Sequence, residues 1–160
     1  MNPPISDIRI DIEGTWSYRG MEMTRRDVIR LFYRHLKCDE SGGYFIEIGR
    51  QRCRVDVEDT AYVVWAVRWT DEEAKTAGES AWLLLSDDSL ERLDPETLRV
   101  GSDGVPHCRV KSGAFTARFS RSGYYQLAER IQYDPERDSY FILHKGKPVH
   151  IAMNACEAFR

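Results

Sequence analysis

Two stretches of the chain, TRRDVIRLFYRHLKCDESGGYFI at residues 24–46 and SRSGYYQLAERIQYDPERDSYFI at residues 120–142, stand at a constant offset of 96. Seven of the 23 aligned positions are identical: Arg25/Arg121, Leu31/Leu127, Arg34/Arg130, Glu40/Glu136, Tyr44/Tyr140, Phe45/Phe141 and Ile46/Ile142. Unrelated sequences of ordinary composition match at about one or two such positions. The physical agreement is stronger than the identity. Thr24 and Ser120 each stand where a hydroxyl can accept a hydrogen bond from an orphan N–H of a first helical turn. Asp27 comes close to completing a capping box, and Met23 and Phe119 can staple onto Val28 and Tyr124. Val28, Leu31, Phe32, His35 and Leu36 then form one helical stripe, and Tyr124, Leu127, Ala128 and Ile131 another. Ser41-Gly42-Gly43 and Asp134-Pro135 are the expected stops.

Working outward, each helix is followed by a predicted hairpin. YFIEI (44–48) turns at Gly49 into RCRVDV (52–57), and YFIL (140–143) turns near Lys145-Gly146 into PVHIAM (148–153). A hairpin also precedes each helix, turning at Arg19-Gly20 in the first copy and at Ser112-Gly113 in the second. TAYVVWAVRW (60–69) is apolar on both faces and reads as a central strand, with Ala81 to Leu85 similar. The polar stretch 70–79 is expected to be a surface loop. Residues 90–100 are expected to be two short strands about a turn at Asp94-Pro95. The fold class that follows is α+β: two hairpin–helix–hairpin repeat units packed together, with mostly antiparallel sheet. Residues 1–78 form the N-terminal repeat unit with the central strand, and residues 79–160 the C-terminal unit.

The 160 residues carry 23 Lys and Arg against 26 Asp and Glu, a net charge of −3, with 42% hydrophobic residues. Disorder, collagen and a membrane span are excluded by that composition, and nucleic acid is disfavoured as a partner by the charge. The opening MNPPISDIRIDIEG has neither a basic nor an apolar signal region, so a cytoplasmic location is expected. Cys38, Cys53, Cys108 and Cys156 form no C-x-x-C pair and are expected to be reduced, with Cys53 turned inward beside Val55.

No nucleophile elbow, phosphate loop or metal-ligand spacing is present, so no cofactor and no metal are implied. The four histidines, His35, His107, His144 and His150, complete no ligand set. Asp56 and Glu58 share a strand face and are the one carboxylate pair suited to acid–base work. Arginine is more suggestive. Arg26, Arg30, Arg34 and Lys37 follow helical spacing, and Arg52 and Arg54 share one side of a strand. Two guanidinium groups fixed on neighbouring strand positions suit an anion. Trp65 and Trp82 lie on the two apolar strands and can wall a pocket.

Several segments together resemble a bacterial family, domain-of-unknown-function family 1285. They are PPISDIRIDIEGTW, the helix from Thr24 to Cys38, GGYFI, VDVEDTAYVVWAV, LDPETLRV and PHCRVKSGAFTARFSRSGYYQLAE, in that order. The chain departs from the family after the acidic VED turn, where it has Ala61-Tyr62. The resemblance implies a small bacterial α+β protein with two related halves and no assigned chemistry. The functional expectation is a binding, regulatory or signalling module. It would recognise a small anionic ligand or a protein partner between its halves, through Arg52, Arg54, Trp65 and Trp82. The alternative is an enzyme with a carboxylate-based site at Asp56 and Glu58.

Overall fold

The computed structural model describes residues 7–70 and 80–153. The expected surface loop at 70–79 (apart from Thr70), the 78/79 division and Cys156 lie outside those residues. The chain forms two compact units, Met1–Ala61 and Tyr62–Arg160.

The first unit runs β1 (Ile8–Ile10), β2 (Trp16–Tyr18), β3 (Met21–Glu22), α1 (Arg26–Arg34), β4 (Leu36–Cys38), β5 (Tyr44–Ile48) and β6 (Gln51–Val57). These strands form a six-stranded sheet in the order β3-β2-β1-β6-β5-β4. β1 and β6 are parallel, and the other neighbours antiparallel. The period-2 pattern sends Ile8, Ile10, Trp16, Ile46 and Val55 into the core.

Helix α1 differs from expectation at both ends. Its N-cap is Arg25, with no side-chain cap, so Thr24 does not cap it. Arg25 instead grips Asp27 in the first turn, with Nη2 2.6 Å from Oδ2. The helix ends at Arg34, and residues 36–38 pair with β5 as a strand, Leu36 opposite Ile46. Ser41-Gly42-Gly43 therefore belongs to the β4–β5 turn. There Asp39 Oδ1 accepts from the amides of Ser41 and Gly43 and from the Ser41 hydroxyl. The buried helical residues are Ile29 and Tyr33, one position on from the expected stripe. Positions 28–36 carry two overlapping apolar registers, and the shorter helix selects the second. Tyr33 closes the core by donating its hydroxyl to the Ala61 carbonyl at 3.0 Å. Trp16 packs edge-on against it, with ring centroids 4.9 Å apart.

The second unit comprises β7 (Tyr62–Thr70), β8 (Ser80–Leu85), β9 (Leu90–Arg92), a 3-10 turn (Pro95–Thr97), β10 (Arg99–Val100), β11 (Pro106–Val110), β12 (Phe115–Phe119), α2 (Arg121–Ala128), β13 (Gln132–Asp134), β14 (Ser139–His144), β15 (Lys147–His150) and β16 (Ala152–Met153). A seven-stranded sheet has the order β16-β10-β11-β12-β7-β8-β9, and β13-β14-β15 form a separate meander. β7 is central, as its apolar faces require. The strands on either side of Asp94-Pro95 pair with β8 and β11, not with each other. Among the described residues parallel pairing is confined to β1–β6, β7–β12 and β10–β16, so the fold is α+β with mostly antiparallel sheet.

Helix α2 starts as its sequence requires, with Ser120 Oγ accepting from the Gly123 amide at 3.1 Å. It lies against the edge of β7. β12 pairs with β7 only as far as Val64. Trp65 is an extra residue in the ladder, since Val64 pairs with Leu85 and Ala66 with Leu84. Beyond this bulge the helix supplies partners in place of a strand. Gln126 Oε1 accepts from the Val67 amide at 2.7 Å, and the Gln126 carbonyl accepts from the Trp69 indole at 2.9 Å.

Both α1 and α2 are followed by a short strand and a hairpin. The hairpins share one register: Ile46 lies opposite Cys53, and Ile142, 96 positions later, opposite Val149. The short strands differ, since Lys37 pairs with Phe45 but Tyr133 with Tyr140.

Candidate functional site

The sheet β4-β5-β6 has two faces of different character. Its outer face carries Lys37, Phe45, Glu47, Arg52, Arg54 and Asp56, as alternation requires. Glu47 sits between two cations: Lys37 Nζ is 2.9 Å from Oε1 and Arg52 Nη2 is 2.7 Å from Oε2. Hydrogen bonds from Lys37 and then Arg52 hold the Glu47 carboxyl below its ordinary range. The Arg52 guanidinium also lies over the Phe45 ring, 4.2 Å from its centroid. Arg54 is next on the same face, opposite Phe45, and its charge helps to hold the Asp39 carboxyl low, after the Ser41 and Gly43 hydrogen bonds.

Asp56 and Glu58 are joined through one guanidinium. Arg9 Nη1 is 3.2 Å from Asp56, and Nη2 is 3.3 Å from Glu58. Glu58 also accepts from the Ile12 amide. Both acids thus secure the β1–β6 junction on an open surface.

The inner face carries the unit's cavity, a solvent-open groove of about 420 Å³ lined by Ile8, Phe32, Ile46, Ile48, Gln51, Arg52 and Cys53. Cys53 does share a face with buried Val55, but it is exposed rather than buried. The helix supplies Phe32 as a wall and stops two residues later, leaving the hairpin end of the sheet uncovered. Alternation along residues 46–53 marks Ile46, Ile48, Gln51 and Cys53 as one face. The early end of the helix is the feature the expected helical span concealed.

Trp65 and Trp82 belong to the second unit. Both are half-buried, and the Arg92 guanidinium lies 5.1 Å from the centroid of the Trp82 ring. Cys38, Cys53 and Cys108 are free thiols. Burial, with the Glu91 and Asp94 charges, pushes Cys108 up to about 12, which makes it a poor nucleophile.

The second unit also has a polar knot. Lys111 Nζ lies 2.7 Å from Asp87 and 2.7 Å from the Ser89 hydroxyl, with Glu91 at 3.7 Å. Burial raises the Asp87 carboxyl, but hydrogen bonds from Lys111 and Ser89 outweigh it and hold the group below its ordinary value. A carboxyl depressed in the fold stabilises above its unfolded pKa, and that stability is lost as pH falls through the folded pKa. Asp87→Asn should therefore flatten the decline in stability below about pH 4. Chemical denaturation from pH 6 to pH 2 reads this, and an unchanged slope would contradict it.

Residues 2–60 match the family described as domain of unknown function (DUF1285), N-terminal domain. The structure of a DUF1285 family protein from Silicibacter pomeroyi DSS-3 is similar, with TM-score 0.75 and 20% identity, covering 99% of this chain and 86% of that one. A second, from Shewanella baltica OS155, has TM-score 0.62 and 18% identity, covering 78% of this chain and 92% of that one. At such identities the likeness concerns the fold. No curated protein matches the sequence.

Proposed function

From the match of residues 2–60 to the N-terminal domain of the DUF1285 family, we propose that the chain is a binding module whose ligand site is the groove of the first unit. The observation that carries this reading is the groove itself. Its volume of about 420 Å³ falls within the range of small-molecule sites, roughly 300–1,000 Å³. Its walls are mostly apolar, with Gln51, Arg52 and Cys53 as polar members, the composition such sites have.

The small anionic ligand expected from the sequence is retained, with its position moved. Arg52 lines the groove while its guanidinium pairs with Glu47, and Arg54 stands on the outer face opposite Phe45. The proposal places no ligand against Trp65 or Trp82. A carboxylate-based enzyme is the weaker reading, because Asp56 and Glu58 are both engaged by Arg9 on an open surface. The shared hairpin register supports taking residues 24–46 and 120–142 as copies of one unit, the second adapted to packing against β7.

Cys53 makes the reading testable. In the Cys38→Ser, Cys156→Ser chain it is the exposed thiol, the other remaining cysteine, Cys108, being buried. Anilinonaphthalene sulfonate, an apolar body with an anionic group, should bind and slow thiol labelling of Cys53 at least fivefold. Ile48→Asp should remove both effects. Fluorescence enhancement with no change in Cys53 labelling would place the dye elsewhere and overturn the reading.

A further inference from the structure

Resting on the groove as the ligand site, we infer that its ligand is an amphipathic carboxylate: an aliphatic tail along Ile8, Phe32, Ile46 and Ile48, with the charged head at Arg50 and Gln51. The β5–β6 turn borders the groove. Ile48 and Gln51 face each other there as the last pair of the hairpin and both line the groove. Arg50 stands in the turn between them, exposed.

The charge pattern distinguishes this end of the sheet. Arg9 is paired with Asp56 and Glu58, and Lys37 and Arg52 with Glu47. Arg50 has no acidic partner among the described residues, and the Gln51 side-chain amide has no hydrogen-bond partner among them. A cation and an amide donor without partners at the mouth of an apolar groove complement an anion attached to an apolar chain. A carboxylate drawn deeper among the isoleucines would lose hydration and meet only Arg52, whose guanidinium is already engaged by Glu47. The tail therefore enters and the head stays at the mouth, where a guanidinium can hold it bidentately. A short anion gains no apolar burial from the groove, and a neutral chain gains nothing from Arg50.

The experiment compares octanoate, octanol and acetate below micellar concentration, using the full-length Cys38→Ser, Cys156→Ser chain and reading the Cys53 labelling rate. Octanoate should protect Cys53 at concentrations about tenfold lower than octanol, and acetate should not protect. Arg50→Glu should abolish the preference for octanoate and leave octanol protection unchanged, while Arg50→Lys retains most of it. Equal protection by octanoate and octanol would overturn the carboxylate inference and leave the groove reading standing. Protection by neither would overturn both. A preference that survives Arg50→Glu would remove Arg50 as the head-group contact.

Discussion

Replacing Gly123 by alanine is expected to destabilise the second unit by about 3 kcal/mol. Gly123 lies in the first turn of α2, and a β-carbon built on it comes within 2.7 Å of the Val64 carbonyl oxygen. That oxygen belongs to the central strand and cannot swing aside as a flexible side chain would. It also accepts the Ser120 amide at 2.9 Å, so moving the helix away stretches the bond that starts it. The contacts of Gln126 with Val67 and Trp69, one turn further on, would loosen as well. Thermal unfolding should show a fall of roughly 10 °C in Tm. Ser122→Ala, at the exposed neighbouring position, should leave Tm nearly unchanged. Equal midpoints for Gly123→Ala and Ser122→Ala would show that α2 does not need this close approach.

The second large effect is expected at Trp16, which is 1% exposed and packs against Phe32 and Tyr33. Trp16→Ala should cost about 4 kcal/mol, since the ring's place cannot be refilled by the rigid elements around it. Trp16→Phe should cost much less, about 1–2 kcal/mol. The indole Nε1 is buried with no hydrogen-bond partner among the described residues, so phenylalanine removes an unsatisfied donor while keeping most of the apolar contact. Urea titration separates the two variants. A Phe variant as unstable as the Ala variant would mean that the indole N–H is satisfied in solution.

The hairpins and the central strand were legible because their signals are local. Gly49 and Gly146 take positive φ at the expected turns, and alternation sorts Val55 from Arg54. Ser120 was legible for the same reason. The ends and buried face of helix α1 were not, because residues 28–36 support two apolar registers. The choice depends on Leu36 finding Ile46 across a strand, and a sequence window contains no record of that pairing. The site followed the same logic. Arg52 and Arg54 were correctly placed on one side of β6, but Glu47, which pairs with Arg52, and Asp39, which feels the Arg54 charge, come from β5 and the β4–β5 turn. The groove depends on where the helix stops, and the uncertain helix end hid it.

The edge handover on β7 sets the order in which the protein can be completed on the ribosome. Tyr62 finds its parallel partner at Ala117, 55 residues later, and the Val67 amide waits for Gln126. β8 covers one edge of β7 early, while the other stays open until more than fifty further residues have been made. High sequence separation of this kind slows folding and lengthens exposure of unpaired strand edges. Among the described residues of the first unit the most distant strand pairing is that of Ile8 with Val55, and its described strands have all been synthesised by Val57. The nascent chain thus has the means to close its first sheet while its most apolar strand is still waiting for its last neighbours.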